Sequence, residues 1–125
     1  KESLIYIISD MVNVNEETLD MMNSLNKDND LITINIYDPL EKQLPTAGKL
    51  TFSNGTTQIN IDTNDKNLRK AHQSKFETQL AFIKEKTIRK HSNKTHKDKN
   101  TNTASLLMVD TIQTVESQLL SYLGQ

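Results

Sequence analysis

Leu4-Ile5-Tyr6-Ile7-Ile8 is a continuous apolar run set between Ser3 and Ser9-Asp10. Runs without alternation are typical of strands covered on both faces by helices, so this segment predicts a central parallel strand. Asn13 or Asn15 can then cap a helix through Glu16, Glu17, Leu19, Met22 and Leu25, with acids in the first turn where the helix dipole favours them. The polar cluster Asn26-Lys27-Asp28-Asn29-Asp30 is expected to end that helix. Over Leu31–Tyr37, Ile32, Ile34 and Ile36 alternate with Thr33 and Asn35, the period of a strand whose two faces differ. Strand, helix and strand in this spacing make a βαβ unit.

Asp38-Pro39 stops the second strand, because proline brings no amide donor to a ladder. Leu50 and Phe52 alternate up to Asn54-Gly55, and Ile59 and Ile61 alternate after it, which reads as a β-hairpin closed by a two-residue turn. Asp62-Thr63-Asn64-Asp65 offers N-caps for a long helix with Leu68, Ala71, His72, Phe76, Leu80, Ile83 and Thr87 facing inward. From Lys90 to Thr103 no large apolar residue occurs, so that stretch reads as a loop or a very polar edge strand. Ser105 or Thr103 is then expected to open a last helix carrying Leu107, Met108, Ile112, Val115, Leu119, Tyr122 and Leu123 on one side, with Gly124 at its end.

Composition changes the picture in three ways. Leu, Ile, Val and Phe supply 32 of 125 residues, enough for a lean core in one modest domain. The absence of cysteine excludes a disulfide scaffold, a thiolate nucleophile and any sulfur-ligated metal site, and it suits a reducing, cytoplasmic setting. No apolar run reaches the length of a membrane span. The net charge of −1 hides an asymmetry: residues 1–65 carry 11 acids against 4 Lys/Arg, and residues 66–125 carry 5 against 11. The plain reading is a pair of solvated faces; the alternative is a surface that steers a charged partner.

Candidate chemistry is sparse, and an enzyme is not expected. Gly48, Gly55 and Gly124 stand too far apart to cradle a pyrophosphate. His72, His91 and His96 have no spacing that sets two on one helical turn, and His72 falls in a helix stripe where packing explains it. Ser9-Asp10 lacks the glycines of a nucleophile elbow. What remains is position: in an open parallel α/β sheet, ligands bind outside the carboxyl ends of the strands, where Asp10 could hold a hard cation, with Ser9 as a weak neighbour, or simply cap the next helix. The basic stretch Lys84–Lys99 holds seven Lys/Arg and two acids. Lys84, Lys86, Arg89, Lys90, Lys94, Lys97 and Lys99 would form a nucleic-acid footprint. Aromatic residues for base stacking are missing, so a solvated helix end is preferred.

The succession Leu4–Asp10, then Asp30–Glu41 ending in Tyr-Asp-Pro-Leu-Glu, then Leu44-Pro45-Thr46-Ala47-Gly48, then the hairpin and Ile61-Asp62-Thr63-Asn64-Asp65 resembles the later half of the von Willebrand factor A-like domain of the bacterial DUF58 family, over about residues 3–90. The resemblance implies an α/β fold with a doubly wound, Rossmann-like, mainly parallel sheet. It also implies non-enzymatic work as an adaptor or chaperone beside a MoxR-type AAA+ ATPase. In relatives that keep the metal-ion-dependent adhesion site, the Asp matching Asp10 helps hold Mg²⁺; the Asp-x-Ser-x-Ser motif and the Thr that complete it have no counterpart here. Metal binding is thus implied only for a full-length domain. Where that family has a hydrophobic last strand, Thr95–Thr103 is polar.

The chain therefore reads as one partial domain over 1–125: strand-helix-strand over 1–37, a hairpin insertion over 38–62, a helix over 63–90, a polar loop or edge strand over 91–103 and a terminal helix over 104–123. If strands that flank Leu4–Ile8 are missing, its edge invites pairing with another chain, and a homodimer or higher association is expected.

Overall fold

The computed structural model describes residues 3–87 and 106–124. The main sheet has three parallel strands, β1 (Leu4–Ser9), β2 (Asp30–Tyr37) and β5 (Leu106–Asp110), in the order β1-β2-β5. A separate antiparallel pair, β3 (Lys49–Ser53) and β4 (Gln58–Asp62), forms the inserted hairpin. Helices α1 (Glu16–Asp28) and α3 (Lys66–Thr87) are the long ones; α2 (Pro39–Lys42) and α4 (Val115–Tyr122) are short. The fold is mixed α/β with a mainly parallel sheet, as the alternation of patterns predicts.

Helix α1 starts where Asn15 Oδ1 accepts from Thr18 N at 2.9 Å, so Asn15 rather than Asn13 or Asp10 is the cap. The helix runs through the polar cluster to Asp28, two turns' worth of packing by Leu19, Met22 and Asn26 outweighing the weak propensity of its end. Asn29 then turns the chain: its Oδ1 accepts from Ser3 N and its Nδ2 donates to Leu25 O. The core is the layer between α1, α3 and one sheet face, where Leu19, Met22, Leu31, Ile83 and Leu106 meet Ile5, Ile7 and Leu80. In α3, Leu68, His72, Phe76, Leu80, Ile83 and Thr87 are turned at least partly inward as expected; Ala71 is exposed.

Four expectations are corrected. β1 is an edge strand among the described residues, not a central one. Its residues alternate, Ile5 and Ile7 half-buried over the core and Leu4, Tyr6 and Ile8 exposed by 55, 55 and 62%. The hairpin turn is also longer than two residues. Ser53 pairs with Gln58, leaving Asn54–Thr57 between the strands; Gly55 takes φ +92°, and Asn54 Oδ1 accepts from Thr56 N and Thr57 N. The asparagine side chain closes the loop that a backbone carbonyl would close in a tighter turn.

The third correction concerns the end of the chain. The helix expected over 104–123 is divided: Leu106–Asp110 is a strand, β5, paired with β2 from Thr33↔Leu106 to Tyr37↔Asp110. Only Val115–Tyr122 is helical, capped by Thr114. Leu106-Leu107-Met108-Val109 reads equally as helix or strand by apolar content, and parallel pairing beside β2 decides it. The apolar last strand thus follows Thr95–Thr103, a segment outside the described residues. The fourth concerns Asp10, whose Oδ1 accepts from Val12 N at 3.1 Å in a local turn and caps no helix.

The Leu-Pro-Thr-Ala-Gly and Asp-Thr stretches form one joint. Thr63, fully buried, donates from Oγ1 to Gly48 O at 2.7 Å, accepts from Ala47 N at 3.0 Å and donates its own N–H to Gly48 O at 2.8 Å. Gly48 has φ +76°, a conformation suited to glycine. Arg69 Nη1 donates to Thr63 O, and Asp65 Oδ1 caps α3 through Asn67 N and Leu68 N. The base of the hairpin is thereby pinned to the start of α3.

Candidate functional site

β1 ends at Ser9, in register with Asn35, two residues before β2 ends at Tyr37. Beyond Ser9 the chain makes a tight rim: Ser9 Oγ accepts from Met11 N at 3.1 Å, and Met11 and Asn13 take φ +54° and +62°. Non-glycine residues there are uncommon, and the side-chain bonds from Ser9 and Asp10 hold the turn in place. Beyond β2, Asp38 Oδ1 caps α2 through Leu40 N at 2.8 Å, with Pro39 in its first turn. His72 Nε2 lies 2.7 Å from Leu40 O, so α2 is tied to α3 and the imidazole is satisfied in a packing role.

These elements enclose a cavity of about 470 Å³ at the carboxyl ends of the strands. Its polar lining comprises Asp10 and Asn13 from the rim, Asn35 from β2, Glu41 from α2, and His72, Lys75 and Gln79 from α3. Apolar walls come from Met11, Phe76, Leu80 and Ile83. Asn35 is 5% exposed; its Nδ2 faces Met108 Sδ at 3.7 Å and its Oδ1 has no partner. Thr33 Oγ1, two residues earlier on the same face of β2, is also buried without a partner. Beside the cavity, Tyr37 packs on Phe76 with ring centroids 5.5 Å apart. Burial first, then the Asp110 carboxylate and Tyr122, push its phenol above the usual range.

The sequence-predicted residues are placed as follows. Asp10 stands on the cavity rim and Ser9 supports the same turn. Among the described residues no group of three His, Cys, Asp or Glu could hold a metal ion, and one carboxylate does not fix Mg²⁺. This chain's described donors therefore do not fit that ion. Lys84 is exposed on α3 and Lys86 lies in the same helix; Arg89, Lys90, Lys94, Lys97 and Lys99 lie outside the described residues, as do His91 and His96. Asn35, Glu41, Lys75 and Gln79 escape a reading by motif. Asn35 alone leaves a trace in the sequence, as an amide among the isoleucines of a strand.

A second feature is the difference between the two edges of the main sheet. On β5, Tyr122 Oη accepts from Met108 N at 2.9 Å and donates to Met108 O at 3.1 Å. Gln118 Oε1 accepts from Asp110 N at 2.7 Å, and its Nε2 donates to Asp110 O at 3.1 Å. Side chains of α4 thus satisfy backbone groups of that strand in the manner of an absent neighbour. On the outer side of β1 no such bonds occur among the described residues, and Leu4–Ser9 includes no charge, proline or glycine. On the open face, Tyr6 and Ile8 stand in register with Ile32 and Ile34 of β2, and Ile34 with Leu107 of β5; Ile32, Ile34 and Leu107 are half-buried.

No described helix is long and apolar enough to cross a membrane. A family model described as "Protein of unknown function DUF58" matches residues 1–81. No curated protein and no solved structure matches the chain.

Proposed function

The chain belongs to the DUF58 family, whose function is unknown, and from that premise we propose that it is a non-enzymatic protein-interaction domain that associates through β1. The observation that carries this reading is the contrast between the edges: β5 is blocked by Tyr122 and Gln118, while β1 is uncharged and flanked by the exposed Leu4, Tyr6 and Ile8. Natural sheets guard exposed edges with charge, proline or cover, and a flat apolar edge is a template for another chain. The first occupant proposed is a second copy, whose β1 extends the sheet by a two-fold operation. The doubly wound, von Willebrand factor A-like arrangement belongs to the same proposal. The resemblance, and no contact in the structure, supplies the further proposal that the domain serves as an adaptor or chaperone beside a MoxR-type AAA+ ATPase in a cytoplasmic setting.

Light scattering on the eluting protein tests the association. The chain is expected to run as a dimer or larger, and Ile8→Lys, which puts a charge on the exposed side of β1, is expected to run as a monomer with an unchanged circular dichroism spectrum. A monomeric unsubstituted chain at high concentration would contradict the reading.

A further inference from the structure

We infer that Asn54, at the tip of the β3–β4 hairpin, is a self-modifying site: its side-chain amide is lost through ring closure onto the backbone nitrogen of Gly55, which leaves a carboxylate there. Alone among the chain's asparagines, Asn54 precedes a glycine. Both residues are exposed, Gly55 takes φ +92°, and apart from its chain neighbours no atom lies within 4 Å of where its Cβ would stand. The Gly55 nitrogen is therefore screened by no side chain of its own. Asn54 Oδ1 accepts from three donors, Thr57 N at 2.8 Å, Thr56 Oγ1 at 3.0 Å and Thr56 N at 3.1 Å. Its Nδ2, the nitrogen that must leave, has no partner among the described residues.

Each group stands where the chemistry uses it. The Gly55 N–H, which donates to Ser53 Oγ at 3.1 Å, gives its proton to hydroxide from the solvent, and the nitrogen attacks Asn54 Cγ. Negative charge gathers on Oδ1. Hydrogen bonds strengthen when their acceptor becomes an anion, so the three donors favour this intermediate over the resting amide. The Cγ–Nδ2 bond then breaks, ammonia leaves with a proton taken from water, and a cyclic imide joins the two residues. Water opens the ring: addition at Cγ yields aspartate, and addition at the Asn54 backbone carbonyl yields isoaspartate. Aspartate keeps all three donors, now charge-assisted. Isoaspartate lengthens the backbone inside the loop that Asn54 N closes by donating to Thr57 O at 3.2 Å. From Leu50 to Ile61 the hairpin carries no charged side chain, so the conversion gives it its first.

Incubation of the whole folded chain at neutral and mildly alkaline pH tests this, with peptide mass spectrometry and enzymatic methylation of isoaspartate as readouts. Asn54 is expected to convert ahead of every other asparagine, faster as pH rises, with an equal amount of ammonia released. Thr56→Val removes the hydroxyl donor and should slow conversion about threefold to tenfold, whereas Thr56→Ser keeps that donor and should convert at the original rate. Asn54→Asp should fold with the same circular dichroism spectrum as the unsubstituted chain and match its aspartate product in chromatography. An Asn54 amide that persists while other asparagines convert, or a rate that Thr56→Val does not lower, would overturn the proposal. The site is separate from the β1 edge, so Ile8→Lys should convert at an unchanged rate, and the two ideas can fail independently.

Discussion

Tyr37 shows how one position gathers the consequences of a strand end. It closes β2, pairs in register with Asp110 of β5 and lies against Phe76 of α3. Burial, Asp110 and Tyr122 together disfavour the phenolate, so the folded chain keeps its proton to higher pH than the unfolded chain does. The sign follows from linkage: this contribution to stability is fully present below the ordinary tyrosine range and is lost as pH rises through the shifted value. An ultraviolet titration should show one phenolate forming late and should lose that component in Tyr37→Phe, whose stability should fall off less in strong alkali. At the same scale the sequence is informative where chemistry is local. A cap at Asn13 or Asn15, of which Asn15 is the one used, and Asp38-Pro39 as a strand stop are legible because each depends on neighbours within one turn; His72 is legible as a residue of the helix stripe, whereas its partner Leu40 O, 32 positions away, is not. The burial of Asn35 without a partner for its Oδ1 is not legible, since it depends on the fold around the strand.

At the scale of elements, the β-α-β opening, the hairpin and the long α3 follow from periodicity, because alternation and a three-to-four step differ over many residues. Leu106–Asp110 does not, because five apolar-rich residues satisfy either period and only pairing with β2 makes them a strand. The same pairing explains α4. Once β5 exists, its outer backbone groups need partners, and Tyr122 and Gln118 supply them from the helix that follows. Tyr122→Phe removes a donor and an acceptor at Met108 and should cost about 1 kcal/mol in urea denaturation, with faster exchange of the Met108 amide. An unchanged Met108 exchange rate would show that the phenol is dispensable to that edge.

At the scale of the molecule, the distribution of cover decides what the chain can do. One sheet face is closed by α1 and α3 around Leu19 and Ile83; on the other, among the described residues, Leu4, Tyr6 and Ile8 stand in the open at the unguarded edge. The apolar content of β1 is plain in the sequence, but its place at an edge is a property of strand order, which no local pattern encodes. The direct measurement is amide hydrogen exchange of Leu4–Ser9 at low and high protein concentration. If β1 is the association edge, its outward amides gain protection as concentration rises while Met108 and Asp110, already bonded to α4, stay protected throughout. Exchange from β1 that is equally fast at every concentration would contradict association through that strand.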